Sequence, residues 1–363
     1  MTLSTLAADL GYRNGVGYWL PGRAAGLMLF SLAVHAQPAP PVRRLPIPDK
    51  AVQVTADRVG NLYFVGQTDE ALPVTPGAFQ TEYKPCLVRN TGPGATGFRT
   101  CGWAFAGKMT PEGTLIYLTY LAGVNGISLA DLVQVDADGN AYITGGYESR
   151  VGAVDFPTTS GAWMERPEGG VGTFLLKLDP SGSRLVYSTF VGGGRAYTQD
   201  WGSLGELVID PSGAAWFTVL NASRDLPVRN AIPNTAAVGI ARGYVGKLSP
   251  SGTELEFGSY LNVGEGGRVV VRAGATDGEG SLYVFGGCFW DEAATKPCVP
   301  VTSGAFQTIM KGQGAGFVMK FSSQGVPIFS TLLSGAEIRS LALDRDGGVV
   351  VSGSTFRPRL DLV

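Results

Sequence analysis

The chain has 363 residues, of which 16% are charged, 53 are glycine and 22 are proline, and its formal net charge is −2. So small a charge, with no block of one sign, argues against a nucleic-acid or anionic-membrane surface. The glycines keep no three-residue period, which excludes collagen, and a hydrophobic content of 44% excludes a disordered chain.

Taken in chain order, residues 1–36 read as a signal peptide. Arg23 precedes the apolar run Ala24–Val34 and the small-residue exit Val34-His35-Ala36, which predicts cleavage after Ala36 and a secreted or cell-surface protein. The apolar run is too short to cross a bilayer, so no membrane span is expected after cleavage. An uncleaved anchor or a misassigned start is the alternative, because residues 1–22 are long and polar for a leader. Cleavage would bring the net charge to −3 and remove His35, the only histidine. Residues 37–50 are proline-rich and read as an extended linker.

Repeats begin at residue 51. One theme places a lysine ahead of a Pro/Ser-Gly turn and a strand, at Lys108, Lys177, Lys247 and Lys320, with spacings of 69, 70 and 73. A second reads VQVTADRVGNLYFVG from Val52, VQVDADGNAYITGG from Val133, LVIDPSGAAWFTVL from Leu207, ATDGEGSLYVFGG from Ala275 and LALDRDGGVVVSG from Leu341. A third is a proline loop, LPVTPGAFQT from Leu72, FPTTSGAW from Phe156, LPVRNAIP from Leu226 and VPVTSGAFQT from Val299. Alternating apolar residues on both sides of Asp-x-x-Gly describe a β-hairpin, the glycine supplying positive φ and the aspartate bonding the turn backbone. Lys177-Leu178, the turn Asp179-Pro180-Ser181-Gly182 and Leu185–Phe190 describe a second hairpin.

Two hairpins give four antiparallel strands per repeat, which is the blade of a β-propeller. The fold expected is therefore all-β, with blades at 51–123, 124–193, 203–264 and 268–335 and a half blade with its tail at 336–363. About four and a half blades make an incomplete ring with an open sheet edge. Leu341, Leu343, Val349 and Val351 supply the alternation of the half blade. Extra strands at Arg43–Ile47 and Arg359–Val363 would instead close a small five-bladed ring.

With VDADGNAYITG, DFPTTSGAW and FLLKLDPSGSRLVYSTFVGG in this order, the chain resembles the SBBP (seven-bladed β-propeller) repeat proteins of bacteria over roughly residues 51–355. The resemblance implies an exported propeller, often one module of a larger surface protein, with no established activity. The Asp-x-x-Gly-Asn-x-Tyr element also resembles blades of NHL-repeat and gluconolactonase-like propellers, which include enzymes.

The chemistry-bearing residues are few. Cys86 and Cys101 lie in the insertion after the first proline loop, and Cys288 and Cys298 flank the equivalent loop of the fourth repeat. Local pairing, Cys86 with Cys101 and Cys288 with Cys298, is favoured over free thiols in an oxidising compartment. A metal site is disfavoured, since the close Cys-x-x-Cys and histidine pattern is lacking. The turn Asp136-Ala137-Asp138-Gly139-Asn140 starts like a calcium loop without the later oxygen ligands, so a structural turn is favoured. Gly312-x-Gly314-x-Gly316 precedes a strand, and Gly192–Gly194 reads as a loop between repeats, so neither is a nucleotide fingerprint.

Nucleophilic catalysis usually needs a histidine base, which the mature chain lacks. A carboxylate pair among Glu112, Asp200, Glu206, Asp291 and Glu292 stays open, with solvated loop charges the favoured reading. Trp103, Trp163, Trp201, Trp216 and Trp290 are read as packing between sheets in preference to sugar platforms. The function expected is a non-enzymatic binding or surface-scaffold module for a protein or carbohydrate ligand, with no catalytic, cofactor or metal residues and further blades of a longer chain as partners. A hydrolase, lyase or lactonase using carboxylates in the central funnel is the alternative.

Overall fold

The computed structural model describes residues 47–48, 50–84, 87–89, 98–149, 153–193, 204–219, 222, 224, 226–236, 242–263, 267–294 and 296–355. The chain divides into a unit Met1–Arg44 and a unit Leu45–Val363. The first unit, and with it the expected signal peptide and most of the linker, lies outside the described residues, as do Cys86, Asp200, Trp201 and the tail 356–363. Among the described residues no helix is long and apolar enough to cross a membrane.

The fold is all-β. In the first repeat β1 (Ala51–Ala56), β2 (Leu62–Thr68), β5 (Trp103–Met109) and β6 (Leu115–Leu121) form a four-stranded antiparallel sheet in that order. A small hairpin of β3 (Leu87–Arg89) and β4 (Phe98–Thr100) stands in the insertion between β2 and β5. The second sheet holds β7 (Gly126–Val135), β8 (Ala141–Ser149), β9 (Val171–Leu178) and β10 (Leu185–Gly193). The third holds β11 (Leu204–Ile209), β12 (Ala215–Val219), β13 (Tyr244–Leu248) and β14 (Leu255–Tyr260). The fourth holds β15 (Arg268–Thr276), β16 (Leu282–Ala294), β17 (Gly312–Phe321) and β18 (Pro327–Ser334), and β19 (Ala336–Leu343) with β20 (Val349–Thr355) makes a two-stranded sheet. The one helical element described is a 3-10 turn at Glu168–Gly170.

The hairpins form where alternation and turn chemistry coincide. Val135 faces Ala141 across the Asp136 turn, and Leu178 faces Leu185 across the Asp179 turn. Two glycine readings need correction. Gly312, Gly314 and Gly316 lie inside β17, not ahead of a strand, because their backbones pair with Ala294, Phe289 and Gly287 of a long β16. Gly192 and Gly193 end β10 instead of forming a loop, paired to Thr173 and Gly172.

The first strand of each sheet packs against the first strand of the next, from β1 to β7, β11, β15 and β19. Four of the five hydrophobic clusters lie as layers between consecutive sheets, and the fifth packs Phe64, Trp103, Phe105 and Tyr120 on the first sheet's other face against Leu72, Val74 and Tyr83. Tyr63, Tyr117 and Leu121 meet Ile143, Phe174 and Phe190 in the first layer. Tyr142 and Tyr187 meet Leu207, Phe217 and Tyr244 in the second, and Trp216 and Phe257 meet Val271, Phe317 and Phe321 in the third. Each such aromatic contributes roughly 2–3 kcal/mol of burial, so the layers hold each sheet to the next. In the fourth layer Phe285 and Val318 meet Ile338, with Leu341, Val349 and Val351 packed beside them.

Strand β5 is buried on both faces, whereas β1 alternates and leaves Val52 and Val54 exposed. Cys288 of β16 is disulfide-bonded to Cys298, with 6.0 Å between their Cα atoms. The Cys86–Cys101 pair involves a residue outside the described set.

Candidate functional site

The five first-hairpin turns share one geometry. Each begins with an aspartate whose Oδ1 accepts backbone N–H groups two and four residues on. Those donors are Val59 and Asn61 for Asp57, at 3.1 and 2.9 Å, and Asp138 and Asn140 for Asp136, at 3.1 and 2.9 Å. For Asp210 they are Ser212 and Ala214, at 2.9 and 3.1 Å, and for Asp277 they are Glu279 and Ser281, at 3.0 and 2.9 Å. Asp344 repeats the pattern with Asp346 and Gly348. This is the Asx-type turn expected of Asp before glycine.

The second carboxylate oxygen meets the repeat lysine. Lys177 Nζ is 3.0 Å from Asp136, Lys247 Nζ 3.1 Å from Asp210 and Lys320 Nζ 3.0 Å from Asp277. All four lysines also lie over an aromatic of their own sheet: Lys108 over Tyr63, Lys177 over Tyr142, Lys247 over Trp216 and Lys320 over Tyr283, at 4.7–5.1 Å from the ring centres. Burial alone pushes the Asp136 carboxyl up, but bonds from Asn140 and Lys177 outweigh it and hold the group below the usual carboxylate range. Asp277 is lowered in the same way by Lys320 and the Ser281 backbone.

These turns come together at one face. Asp57–Val59, Asp136–Gly139, Asp210–Gly213 and Asp277–Gly278 line a cavity of ≈ 820 Å³, with Lys108 and Lys177 in its wall. A neighbouring recess of ≈ 730 Å³ lies between the third and fourth sheets, lined among others by Asp210, Lys247, Glu256 and Glu279. Arg58, Val59, Ala137 and Asp138 are the exposed tips of the larger mouth. It is a polar rim on a rigid scaffold, the usual placing of recognition loops.

Polar groups also stand on the first strands themselves, where strand irregularities re-aim side chains. Asp131 sits at the β7 irregularity between Ala130 and Leu132, and burial pushes its carboxyl up to about 6. Glu206 directly follows the equivalent irregularity of β11, at Gly205, and pairs with Arg272 of β15 at 3.4 Å. Burial raises the Glu206 carboxyl and Arg272 opposes that shift. Sequence reasoning passed over Asp131 and Arg272. Their signal was a charge in an otherwise apolar first strand.

The acids singled out from sequence do not converge at the mouth. Glu112 stands in the exposed second turn of the first sheet, and neither it nor Glu206 lines the cavity. The side chains of Asp291, Glu292 and Trp290 lie outside the described residues. Trp216 is fully buried between the third and fourth sheets and Trp163 packs against the second core layer, whereas the equally buried Trp103 packs on Tyr83 and Tyr120 of its own repeat. Among the described residues no three His, Cys, Asp or Glu side chains group as metal ligands.

No family model matches the chain, and no curated protein matches it. Among solved structures it is similar to a protein of unknown function from Dyadobacter fermentans DSM 18053, with 12% identity over 83% of this chain and 74% of that one, at a TM-score of 0.38. It is similar to a Hadza microbial sialidase, with 10% identity over 78% of this chain and 58% of that one, at 0.34. It is also similar to the endo-arabinase of Bacteroides thetaiotaomicron VPI-5482, with 12% identity over 86% of this chain and 90% of that one, at 0.28. Likenesses this weak bear on neither the activity nor the ligand of this chain.

Proposed function

We propose that the chain is an exported β-propeller module of the SBBP type that binds a protein or carbohydrate at the mouth of its aspartate turns, without catalysing a reaction there. One observation carries this reading: Asp57, Asp136, Asp210 and Asp277 are all occupied as acceptors by their own turns, and three of the four also by lysine. Carboxylates so engaged hold loops in place and are poor general acids or bases. The succession of first strands from β1 to β19 supports a radial arrangement of blades. The Cys288–Cys298 bridge suits an oxidising compartment.

A carboxylate enzyme is favoured only by Asp131, whose raised carboxyl stands ready to donate a proton near neutral pH. The test is to assay the purified chain on aryl glycosides and lactones between about pH 5 and 8, beside retention on insoluble peptidoglycan and plant polysaccharides. Retention that Arg58→Ala with Asp138→Ala abolishes, with no turnover, is the expected result. Turnover that Asp131→Asn removes would overturn it.

A further inference from the structure

The four repeat lysines are alike in their ring contacts and unlike in their charge partners. Lys177, Lys247 and Lys320 each reach the first-turn aspartate of their own sheet at 3.0–3.1 Å. Lys108 forms no ion pair with a described residue. Its counterpart Asp57 is filled without it: Oδ1 accepts the Val59 and Asn61 amides, and Oδ2 accepts Asn61 Nδ2 at 2.7 Å and the Tyr63 hydroxyl at 3.3 Å. Lys108 has instead the Tyr63 ring and one bond, from Nζ to Pro180 O of the second sheet at 3.4 Å. An ammonium carries three donors, so two of those on Lys108 meet no described acceptor. Yet the residue is only 8% exposed. Burial draws its ammonium below the usual lysine range, and the Asp57 charge opposes that shift. A buried charge bonded this poorly is costly until a partner reaches it.

Lys108 stands in the wall of the ≈ 820 Å³ cavity, as does Arg58. Three of the aspartates there, Asp136, Asp210 and Asp277, are neutralised by their lysines. That leaves Asp57 and Asp138 against Arg58 and Lys108, so the wall does not repel an anion on balance. Arg58 is exposed at the rim, and its guanidinium bonds to no described residue. The turn aspartates use their oxygens inside their own turns, so what the first sheet has left to offer the cavity is N–H donors. A ligand fits them if it brings acceptor oxygens. A carboxylate suits best, because its charge-assisted bonds to ammonium and guanidinium are the strong kind.

We propose that Lys108 and Arg58 together receive the carboxylate of an acidic saccharide, a uronate unit, in this mouth. The inference rests on the reading of the mouth as a binding site and names the ligand class. The cavity falls within the range of small-ligand sites, about 300–1,000 Å³. A protein partner needs about 800 Å² of surface on each side and apolar or aromatic anchors. The exposed tips Arg58, Val59, Ala137 and Asp138 include no aromatic. A sugar acid also brings ring and hydroxyl oxygens that accept the remaining N–H donors, and hydroxyls that donate to Asp138 at the rim.

The test is calorimetric titration of the full chain with trigalacturonate and with its methyl ester, which keeps the sugar and removes the charge. The acid is expected to bind about tenfold or more tightly than the ester. Arg58→Ala changes an exposed side chain and should remove most of that preference. Lys108→Met should bind acid and ester alike, with a melting temperature no lower than that of the wild type, since no ion pair is lost. Equal affinity of the unaltered chain for acid and ester, or a preference that survives both substitutions, would overturn the inference and leave the mouth a site for neutral saccharides. Tighter binding of poly-glutamate than of the uronate would overturn the saccharide in favour of an acidic peptide. Failure to bind any saccharide or peptide would remove the reading of the mouth together with the inference.

Discussion

Lysine 247 offers the sharpest test of the turn-and-lysine locks. Its ammonium lies 3.1 Å from Asp210 and 3.2 Å from Glu256, donates to Ser323 O of the next sheet at 2.8 Å, and covers Trp216. The Lys247 and Asp210 side chains are 6% and 1% exposed. Lys247→Met keeps most of the volume but leaves the Asp210 charge buried, with the Ser212 and Ala214 N–H groups and the Ser212 hydroxyl left to oppose it. Breaking one side of a buried pair costs about 3–5 kcal/mol. The equivalent Lys320–Asp277 pair is 19% and 22% exposed and reaches no further sheet, so Lys320→Met should cost about 1 kcal/mol or less. Urea unfolding followed by tryptophan fluorescence measures both, and the Lys247 variant should show the larger fall in midpoint, of about 1 M. Adding Asp210→Asn to Lys247→Met should restore part of the loss, since the orphaned charge is removed. Equal costs for the two lysines, or no recovery in the double variant, would refute the reasoning.

Gly182→Ala forces a Cβ into the Tyr117 ring at a φ of +70°, whereas Gly161→Ala, at +76°, meets open space. The first should cost several kcal/mol by thermal unfolding and the second about 1 kcal/mol, the strain of the left-handed conformation alone. Because burial raises the Asp131 carboxyl to about 6, the folded state binds its proton more tightly than the unfolded chain. Its contribution is therefore full at acid pH and is lost as pH rises through 6, so Asp131→Asn should gain about 1–3 kcal/mol on wild type at pH 7.5 and nearly nothing at pH 4. A gain independent of pH would contradict that origin. Asp136 has the opposite sign: its lowered carboxyl stabilises the fold above the usual carboxylate range, and that stability is lost as pH falls. Replacing Cys288 and Cys298 by serine opens a loop of sequence separation 10 and should lower stability by about 2–3 kcal/mol in denaturant unfolding.

Much of the fold was legible because hairpins write themselves locally. The Asp136 and Asp179 turns pair alternation with glycine at a fixed offset, and both hairpins stand where that grammar puts them. The β3–β4 hairpin was not legible, since Leu87–Arg89 and Phe98–Thr100 are too short to show a period. The aspartates were read correctly as turn residues, but their partner was missed. Lys108, Lys177, Lys247 and Lys320 served only to mark the repeat, although a lysine and an aspartate recurring once per repeat is the signature of a pair. Asp131 was hidden because the bulge that places it depends on strand register, and Arg272 because its partner Glu206 comes from another sheet, neither of which sequence period specifies.

A crystal structure of the chain tests the central claim most directly. The account predicts that the first strands of successive sheets surround one axis, with Asp57, Asp136, Asp210 and Asp277 at one mouth, each bonded within its own turn. Sheets stacked in a line, or two free carboxylates facing each other across the mouth at about 5–9 Å, would contradict it.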